Sequence, residues 1–162
     1  MPAKGTDVVF NLHTHDTDPP LLGWIQPLLE QTLALAQVAQ GQLGVTVVHD
    51  PEMTDLHVRY CDKPGTTDVL TFDLRDDPGD PLEGDVVICL DEAARQASER
   101  GHAVRDEVLL YAIHGLMHLL GEDDHDPQAY QRMHQREDEL LTALGVGPRF
   151  DPPLTDPEGT CS

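Results

Sequence analysis

Apolar residues recur along the chain at two different spacings, which predicts a mixture of strands and helices. Short apolar or β-branched runs predict strands over residues 7–12, 43–49, 68–74 and 84–90. Apolar residues three or four positions apart predict helices over residues 20–40, 51–60, 91–100, 105–121 and 127–145. We expect Pro27 to kink the first helix or delay its start, and Asp91 to cap the third.

The predicted helix over residues 105–121 has the widest apolar band in the chain. Gly121 follows the band directly and is expected to end the helix, because glycine readily takes the left-handed conformation of a helix stop. This segment is therefore predicted to be a buried helix. Its apolar positions are Val108, Leu109, Ala112, Ile113, Leu116, Leu119 and Leu120.

Length and composition are those of one globular domain. With 39% hydrophobic and 25% charged residues, the chain of 162 residues is neither disordered nor membrane-spanning in character. We expect residues 1–145 to form a single domain and residues 146–162 to be a flexible, acidic, Pro-rich tail. The cysteines are three in number and form no Cys-x-x-Cys pair, so we expect no disulfide framework and no thiolate zinc site.

Charge restricts the possible partners. Thirty acidic residues against ten basic ones give a net charge of −20, which repels phosphate backbones at long range and counts against broad nucleic-acid binding. A bound divalent cation would supply positive charge locally. No apolar run is long enough to cross a bilayer and the N-terminus lacks an apolar signal core, so a cytoplasmic protein without membrane contact is expected.

Two histidines on the buried helix predict a metal site. His114 and His118 are four residues apart, so their side chains lie on one helix face and can reach one ion. After Gly121 the chain can fold back and deliver a third ligand from Asp124 or His125, which leaves one coordination position for water. The alternative is that both histidines are hydrogen-bonded core residues, but the apolar band and the nearby ligands favour metal binding.

Other polar residues receive no role from their context. The acidic run Glu137-Asp-Glu139 is predicted to be a solvated helix face. The remaining histidines do not lie in a comparable arrangement of potential ligands. They are expected to be solvated or singly hydrogen-bonded: His13, His15, His49, His57, His102 and His134.

The position after the first histidine argues against peptide hydrolysis. Zinc peptidases of the His-Glu-x-x-His type carry there the glutamate that activates water, and this chain has Gly115. A bound ion would still lower the pKa of water and polarise a phosphoryl oxygen, so hydrolysis remains the expected chemistry.

Three segments together resemble the YbeY family of ribosomal RNA maturation endoribonucleases. The stretch His114-Gly-Leu-Met-His118-Leu-Leu-Gly121, with the later pair Asp124-His125, is similar to the family signature. Thr67-Asp-Val-Leu-Thr-Phe72 resembles the family's Pro-Thr-Asp-Val-Leu-Ser-Phe strand, and Gly84-Asp-Val-Val-Ile-Cys89 resembles its Gly-Asp-Ile-x-Ile strand. The resemblance covers roughly residues 40–142.

The resemblance implies a fold, an ion and an activity. The implied fold is α/β (α+β), a single domain with a mixed β-sheet flanked by helices and a zincin-like metal helix beneath a cleft. His114, His118 and His125 would bind one catalytic Zn²⁺ ion. The implied activity is single-strand-specific RNA cleavage in small-subunit ribosomal RNA maturation and ribosome quality control, with ribosomal RNA and the small subunit or its assembly factors as partners rather than DNA.

The chain departs from the family pattern at two positions. His125 lies eleven residues after His114 where the family has ten, and Asp124 takes the tenth position. We predict His125 as the third ligand because it keeps the family's Asp-His order, and Asp124 is the alternative ligand. Asp123 or Asp124 is also the expected acid that moves protons in the reaction. An ungapped match puts Cys61 where the family has a phosphate-contacting arginine, so Arg59 is predicted to take over that role.

Two other functions remain as alternatives. A zinc metallopeptidase would use the same His-x-x-x-His-x-x-Gly pattern, and the acidic surface would not hinder the binding of peptide substrates. A non-catalytic, zinc-stabilised ribosome-assembly module would have Asp124 as a fourth ligand in place of water.

Overall fold

The structure is a computed structural model and describes residues 9–14, 19–38, 40–77, 79–121 and 126–145. Within these ranges it has four strands and five helices. The strands are β1 (Val9–Thr14), β2 (Gly41–Val48), β3 (Val69–Asp73) and β4 (Leu82–Cys89). The helices are α1 (Pro19–Leu35), α2 (Asp50–Cys61), α3 (Leu90–Arg100), α4 (Val104–Leu119) and α5 (Pro127–Ala143). The predicted tail, Asp124 and His125 lie outside the described residues.

The strands form one mixed sheet in the order β1-β2-β4-β3. β1, β2 and β4 are parallel, and β3 pairs antiparallel with β4, with Phe72 opposite Asp85. Parallel neighbours need crossover segments, which α1 and α2 help to provide, whereas the short link after β3 allows the chain to return as an antiparallel strand. The predicted mixed sheet flanked by helices is confirmed.

The two faces of the sheet are covered differently. On one face α2 packs through Met53 against a small cluster that includes Leu70, Val87 and Cys89. Alternate residues of the same strands, such as Val69 and Val86, point to the larger core with α1, α3, α4 and α5. α2 and α4 therefore lie on opposite faces of the sheet.

Helix α4 runs through the centre of the larger core. It contacts β3, β4 and the helices α1, α3 and α5. Residues 107–117 and Leu119 are buried, as expected of a helix that is apolar almost all round, whereas His118 near its end is partly exposed. Gly121, with φ +95°, lies just after the helix, so the predicted buried helix and its stop are confirmed.

Some local expectations differ from the structure. Asp91 does not cap α3, because the N-cap position is Cys89; its carboxylate instead accepts the backbone N–H of Asp50 at the start of α2, at 2.8 Å. Of the two alternatives for Pro27, the late helix start is wrong, because Pro27 lies inside α1, and the kink stays a prediction. The predicted end at residue 40 is also wrong: α1 ends at Leu35, ahead of Gln37, which is in the left-handed region.

The cysteines also differ from expectation. Cys89 is a buried free thiol, as expected, but Cys61 is disulfide-bonded. The third cysteine, Cys161, lies outside the described residues. In the part of the chain that the structure describes, no helix combines the length and the apolar character needed to cross a membrane.

Candidate metal centre

The two helix histidines meet at the partly exposed end of α4. Nε2 of His114 lies 3.2 Å from Nε2 of His118, and the two rings cross at 81° with their centroids 4.8 Å apart. His114 is buried and His118 is half-buried. The predicted pair therefore presents two imidazole nitrogens at one point near the surface.

The separation of the two nitrogens fits an imidazole-ligated ion. Two Zn–N bonds of about 2.0–2.1 Å at a tetrahedral angle place their nitrogens about 3.4 Å apart. The observed 3.2 Å between the two Nε2 atoms is close to that value. The separation of these two side chains therefore fits two ligands of a tetrahedral zinc ion.

A glutamate from α5 contacts the other nitrogen of His114. Oε1 of Glu137 lies 2.7 Å from His114 Nδ1, and the Glu137 side chain is fully buried. Because an ionised carboxylate only accepts, His114 Nδ1–H donates, and in the neutral ring the lone pair is then on Nε2. Glu137 thus leaves Nε2 of His114, the nitrogen next to His118, available as a ligand.

The prediction that residues 137–139 form a solvated face is wrong for Glu137. Glu139 is exposed, but Glu137 lies four residues after Met133 and four before Leu141, both buried on the inner face of α5. The signal that finds Glu137 is present in the sequence, because a charged residue inside an apolar helical stripe must have a buried partner.

His134 contacts the second oxygen of Glu137. Its Nδ1 lies 3.2 Å from Oε2, close but not aligned as a hydrogen bond, and its ring packs edge-on against Tyr130 with centroids 4.1 Å apart. His134 is buried, so of the two expected states, solvated or singly hydrogen-bonded, the solvated one is wrong. Burial by itself would raise the pKa of Glu137, but the contacts with His114 and His134 outweigh burial and lower it.

Close packing seats the ligand helix on the sheet. A methyl group at Gly115 would lie 2.8 Å from Val86 Cγ1 and 3.0 Å from Thr71 Cγ2, and one at Gly84 would lie 2.9 Å from the Leu119 methyls. Such distances are shorter than real carbon contacts, so α4 approaches β3 and β4 this closely only because glycine stands at both positions. Position 115 therefore has no room for a catalytic glutamate.

An arginine that the sequence did not single out contacts the end of α4. The Arg75 guanidinium donates to the Leu119 carbonyl oxygen at 2.7 Å and makes two hydrogen bonds to the Asp73 carboxylate, at 2.9 and 2.8 Å. A cation at a helix C-terminus satisfies a carbonyl left over by the helix and interacts favourably with its dipole. Arg75 thereby fixes the end of the helix that carries His118.

Comparisons with known proteins identify the family of the chain. The sequence model of the family described as endoribonuclease YbeY matches residues 10–145 of the chain. The chain belongs to the endoribonuclease YbeY family. The endoribonuclease YbeY of Thermobifida fusca is 44% identical over 109 residues, which cover 62% of this chain and 70% of that protein. That of Carboxydothermus hydrogenoformans is 37% identical over 134 residues, covering 81% of this chain and 91% of that protein.

A solved structure supports the fold. The solution structure of TM1509 from Thermotoga maritima superposes with a TM-score of 0.61 at 21% sequence identity. The match covers 91% of this chain and 100% of that one. The YbeY resemblance found in the sequence is confirmed, and the peptidase and assembly-module alternatives are not favoured.

The structure does not bring Arg59 close to His114 and His118. Arg59 is exposed on α2 and pairs with Asp55 at 3.0 Å, whereas α4 lies on the opposite face of the sheet. Its phosphate-contacting role therefore stays a prediction. Asp124 and His125 lie outside the described residues, so the third ligand stays a prediction as well.

A second group of potential ligands lies at the ends of β2 and β4. Atoms of Asp50, Cys89 and Asp91 come within 4.8 Å of one another, close enough to share an ion. However, Arg95 already binds Asp50 through two hydrogen bonds of 2.8 and 2.9 Å, and burial raises the pKa of the Cys89 thiol to about 11. A neutral thiol and an occupied carboxylate are poor ligands, so we assign no ion to this group.

Proposed function

We propose that this YbeY-family protein is a zinc-dependent endoribonuclease that cleaves single-stranded RNA in the maturation of small-subunit ribosomal RNA and in ribosome quality control. The observation that carries the proposal is the 3.2 Å approach of His114 Nε2 and His118 Nε2 at the partly exposed end of α4. Two imidazoles at this separation are suited to bind one zinc ion. We propose His125 as the third ligand, with Asp124 beside it.

Each residue of the site has a separate task. When bound, zinc would supply a Lewis acid for the phosphoryl group and lower the pKa of water. His114 and His118 hold the ion, and Asp124 is proposed to move the proton. Arg59, which lies away from the two histidines on α2, is proposed to contact phosphate at another point along the RNA. The absence of a side chain at Gly115 removes the base that peptidases use.

The acidic surface affects how the protein would reach its RNA substrate. A net charge of −20 disfavours long-range attraction of free RNA, so zinc is proposed to provide the local positive charge. Ribosomal RNA would then be presented by the small subunit or its assembly factors in the cytoplasm. Residues 1–145 are proposed to form the catalytic domain and residues 146–162 an acidic tail.

Purified protein with a measured zinc content tests the activity. We expect cleavage of single-stranded but not duplex RNA, lost on chelation and restored by Zn²⁺. His118→Ala should lower the cleavage rate by more than about 100-fold, the upper end of the effect of losing a residue that only orients a ligand. Glu139→Gln, on the exposed side of α5, is the matched control and should leave the rate unchanged.

Cells carrying the same variants test the substrate. His118→Ala should alter the mapped ends of small-subunit ribosomal RNA, whereas Glu139→Gln should not. If zinc-loaded protein leaves single-stranded RNA uncut and His118→Ala cells have normal ends, the proposed function is wrong. Comparing the zinc stoichiometry of His125→Ala and Asp124→Ala decides the third ligand.

A further inference from the structure

A buried chain of three polar side chains joins α4 and α5 behind the candidate zinc site. Glu137 lies between His114, at 2.7 Å from Nδ1, and His134, at 3.2 Å from Nδ1. All three side chains are largely shielded from water, and Glu137 is fully buried. The three side chains therefore connect a proposed ligand on α4 with the buried side of α5.

A buried carboxylate usually stabilises a fold no better than an apolar side chain of similar volume. Removing a charge from water costs several kcal/mol, and replacing a buried ion pair with apolar side chains is often neutral or favourable. The inner face of α5 already packs on the core through Met133, Leu140 and Leu141. Apolar contacts therefore already attach α5 to the core.

The described residues contain one other fully buried glutamate, and its partners differ from those of Glu137. Glu107, at the start of α4, pairs with Arg100 at 3.3 Å and with His102, and thus ties α4 to the end of α3. An arginine stays charged at every working pH, which suits a structural pair. Both side-chain partners of Glu137 are imidazoles instead, and one of them offers its second nitrogen to the zinc site.

We propose that Glu137 is the positioning residue for His114, holding the proton on Nδ1 and the Nε2 lone pair toward zinc, while His134 supports the second oxygen of Glu137. This inference rests on the proposed function and adds a residue to its metal site. A carboxylate behind a histidine ligand fixes the tautomer, limits rotation of the ring and makes the ligand nitrogen more basic. His134 packs edge-on against Tyr130, and in this position it keeps the Glu137 carboxylate from rotating away from His114.

Zinc affinity measures the effect directly. In a competition titration with a chromophoric chelator, Glu137→Gln should bind Zn²⁺ about 10- to 100-fold more weakly than the unchanged protein. Glutamine has nearly the same volume and keeps a carbonyl acceptor, but lacks the charge. Glu139→Gln is the same exchange two residues along on the exposed side of α5 and should leave the affinity unchanged.

The tautomer of His114 gives a readout that packing alone would not change. In the zinc-free protein, the ¹⁵N shifts of the ring should report a proton on Nδ1, and Glu137→Ala should shift them toward a mixture of both tautomers. Glu137→Asp keeps the charge but withdraws it by one methylene, so it should recover part of the affinity lost in Glu137→Gln. Circular dichroism and the melting temperature of each zinc-free variant show that it is folded.

The outcomes separate this inference from the proposed function. If the unchanged protein and Glu137→Gln bind zinc equally and the His114 ring signals agree, the positioning role is wrong although the zinc site stands. If the unchanged protein binds no zinc, the proposed site and this inference are both wrong. A weaker affinity in Glu137→Gln, with a shifted tautomer in Glu137→Ala and an unchanged control, supports the inference.

Discussion

Position 115 shows how a single missing side chain sets the distance between the ligand helix and the sheet. Gly115 is buried, and a methyl group there would lie 2.8 Å from Val86 and 3.0 Å from Thr71. Both neighbours are branched and lie on strands, so they cannot turn aside as the end of a long side chain would. The glycine between the two histidines is thus a packing requirement rather than a flexible point.

We predict that Gly115→Ala lowers the free energy of unfolding by about 1–3 kcal/mol through overpacking. In an open helix the same exchange is favourable, because alanine has the higher helix propensity. Gly23→Ala in α1 is the matched control: nothing lies within 4 Å of the added methyl, so stability should rise by about 0.5–1 kcal/mol. Urea denaturation measures both variants, and equal behaviour of the two would contradict the packing argument.

An ion pair at the start of α2 gives a prediction about acid stability. Hydrogen bonds from Arg95 lower the pKa of Asp50 from 3.8 to about 2. A lowered folded-state pKa stabilises the protein above the unfolded pKa, and this contribution is lost as the pH falls from about 4 to about 2. Because Asp50 and Arg95 are 36% and 47% exposed, solvent limits the contribution to less than about 1 kcal/mol.

Asp50→Asn should therefore be less stable than the unchanged protein at pH 7 and equally stable near pH 2. Glu99→Gln, an exposed change on α3, should show no such convergence. Urea midpoints measured between pH 2 and 7 provide the comparison. A constant difference at all pH values would show that asparagine acts through packing rather than charge.

At the level of elements, the end of α4 is held from outside the helix. Arg75, in the link after β3, donates to the Leu119 carbonyl and is itself oriented by Asp73. The pairing of Asp73 with Arg75 lowers the pKa of that carboxyl and keeps it ionised. The strand end and the helix end are thereby joined one residue after His118.

Arg75→Met should free this helix end while keeping the length of the side chain. We expect a loss of about 1–2 kcal/mol, the usual contribution of a charge-assisted bond at a helix terminus. Amide hydrogen exchange should become faster in residues 119–121 and remain unchanged at the start of α4. Arg132→Met, on the exposed side of α5, is the control; equal exchange in both variants would mean that Arg75 does not hold the helix end.

For the whole molecule, the dominant physical fact is the charge of −20. Like charges distributed over one domain repel each other, which destabilises the compact state. Salt shortens the range of this repulsion, from about 30 Å at 0.01 M to about 8 Å at 0.15 M. We therefore expect the melting temperature to rise with NaCl concentration, by about 2–4 °C for each 1 kcal/mol of repulsion removed.

A variant with less charge tests the cause. Glu99→Lys and Glu139→Lys together change two exposed positions and reduce the net charge from −20 to −16. Calorimetry at increasing NaCl should show a higher melting temperature at low salt and a smaller rise than in the unchanged protein. If the melting temperature falls with salt instead, attractive ion pairs such as Asp55 with Arg59 outweigh the repulsion.

The sequence by itself determined the features that depend on neighbouring residues. Helical spacing identified α4 as the buried helix, Gly121 as its stop, and His114 and His118 as a pair on one face. Strand-length apolar runs located the four strands to within a few residues. Such features are local, because backbone geometry fixes which side chains at short separations share a face.

Only the tertiary structure decided which distant groups meet. Glu137 is 23 residues from His114 along the chain, and Arg75 is 44 residues from Leu119. Both contacts depend on how α5 and the link after β3 pack against α4. The antiparallel edge position of β3 and the contact between Gly115 and Val86 are of the same kind. The spacing of the two histidines is a property of one helix, whereas the side chains that orient and secure them are brought together by packing of the whole core.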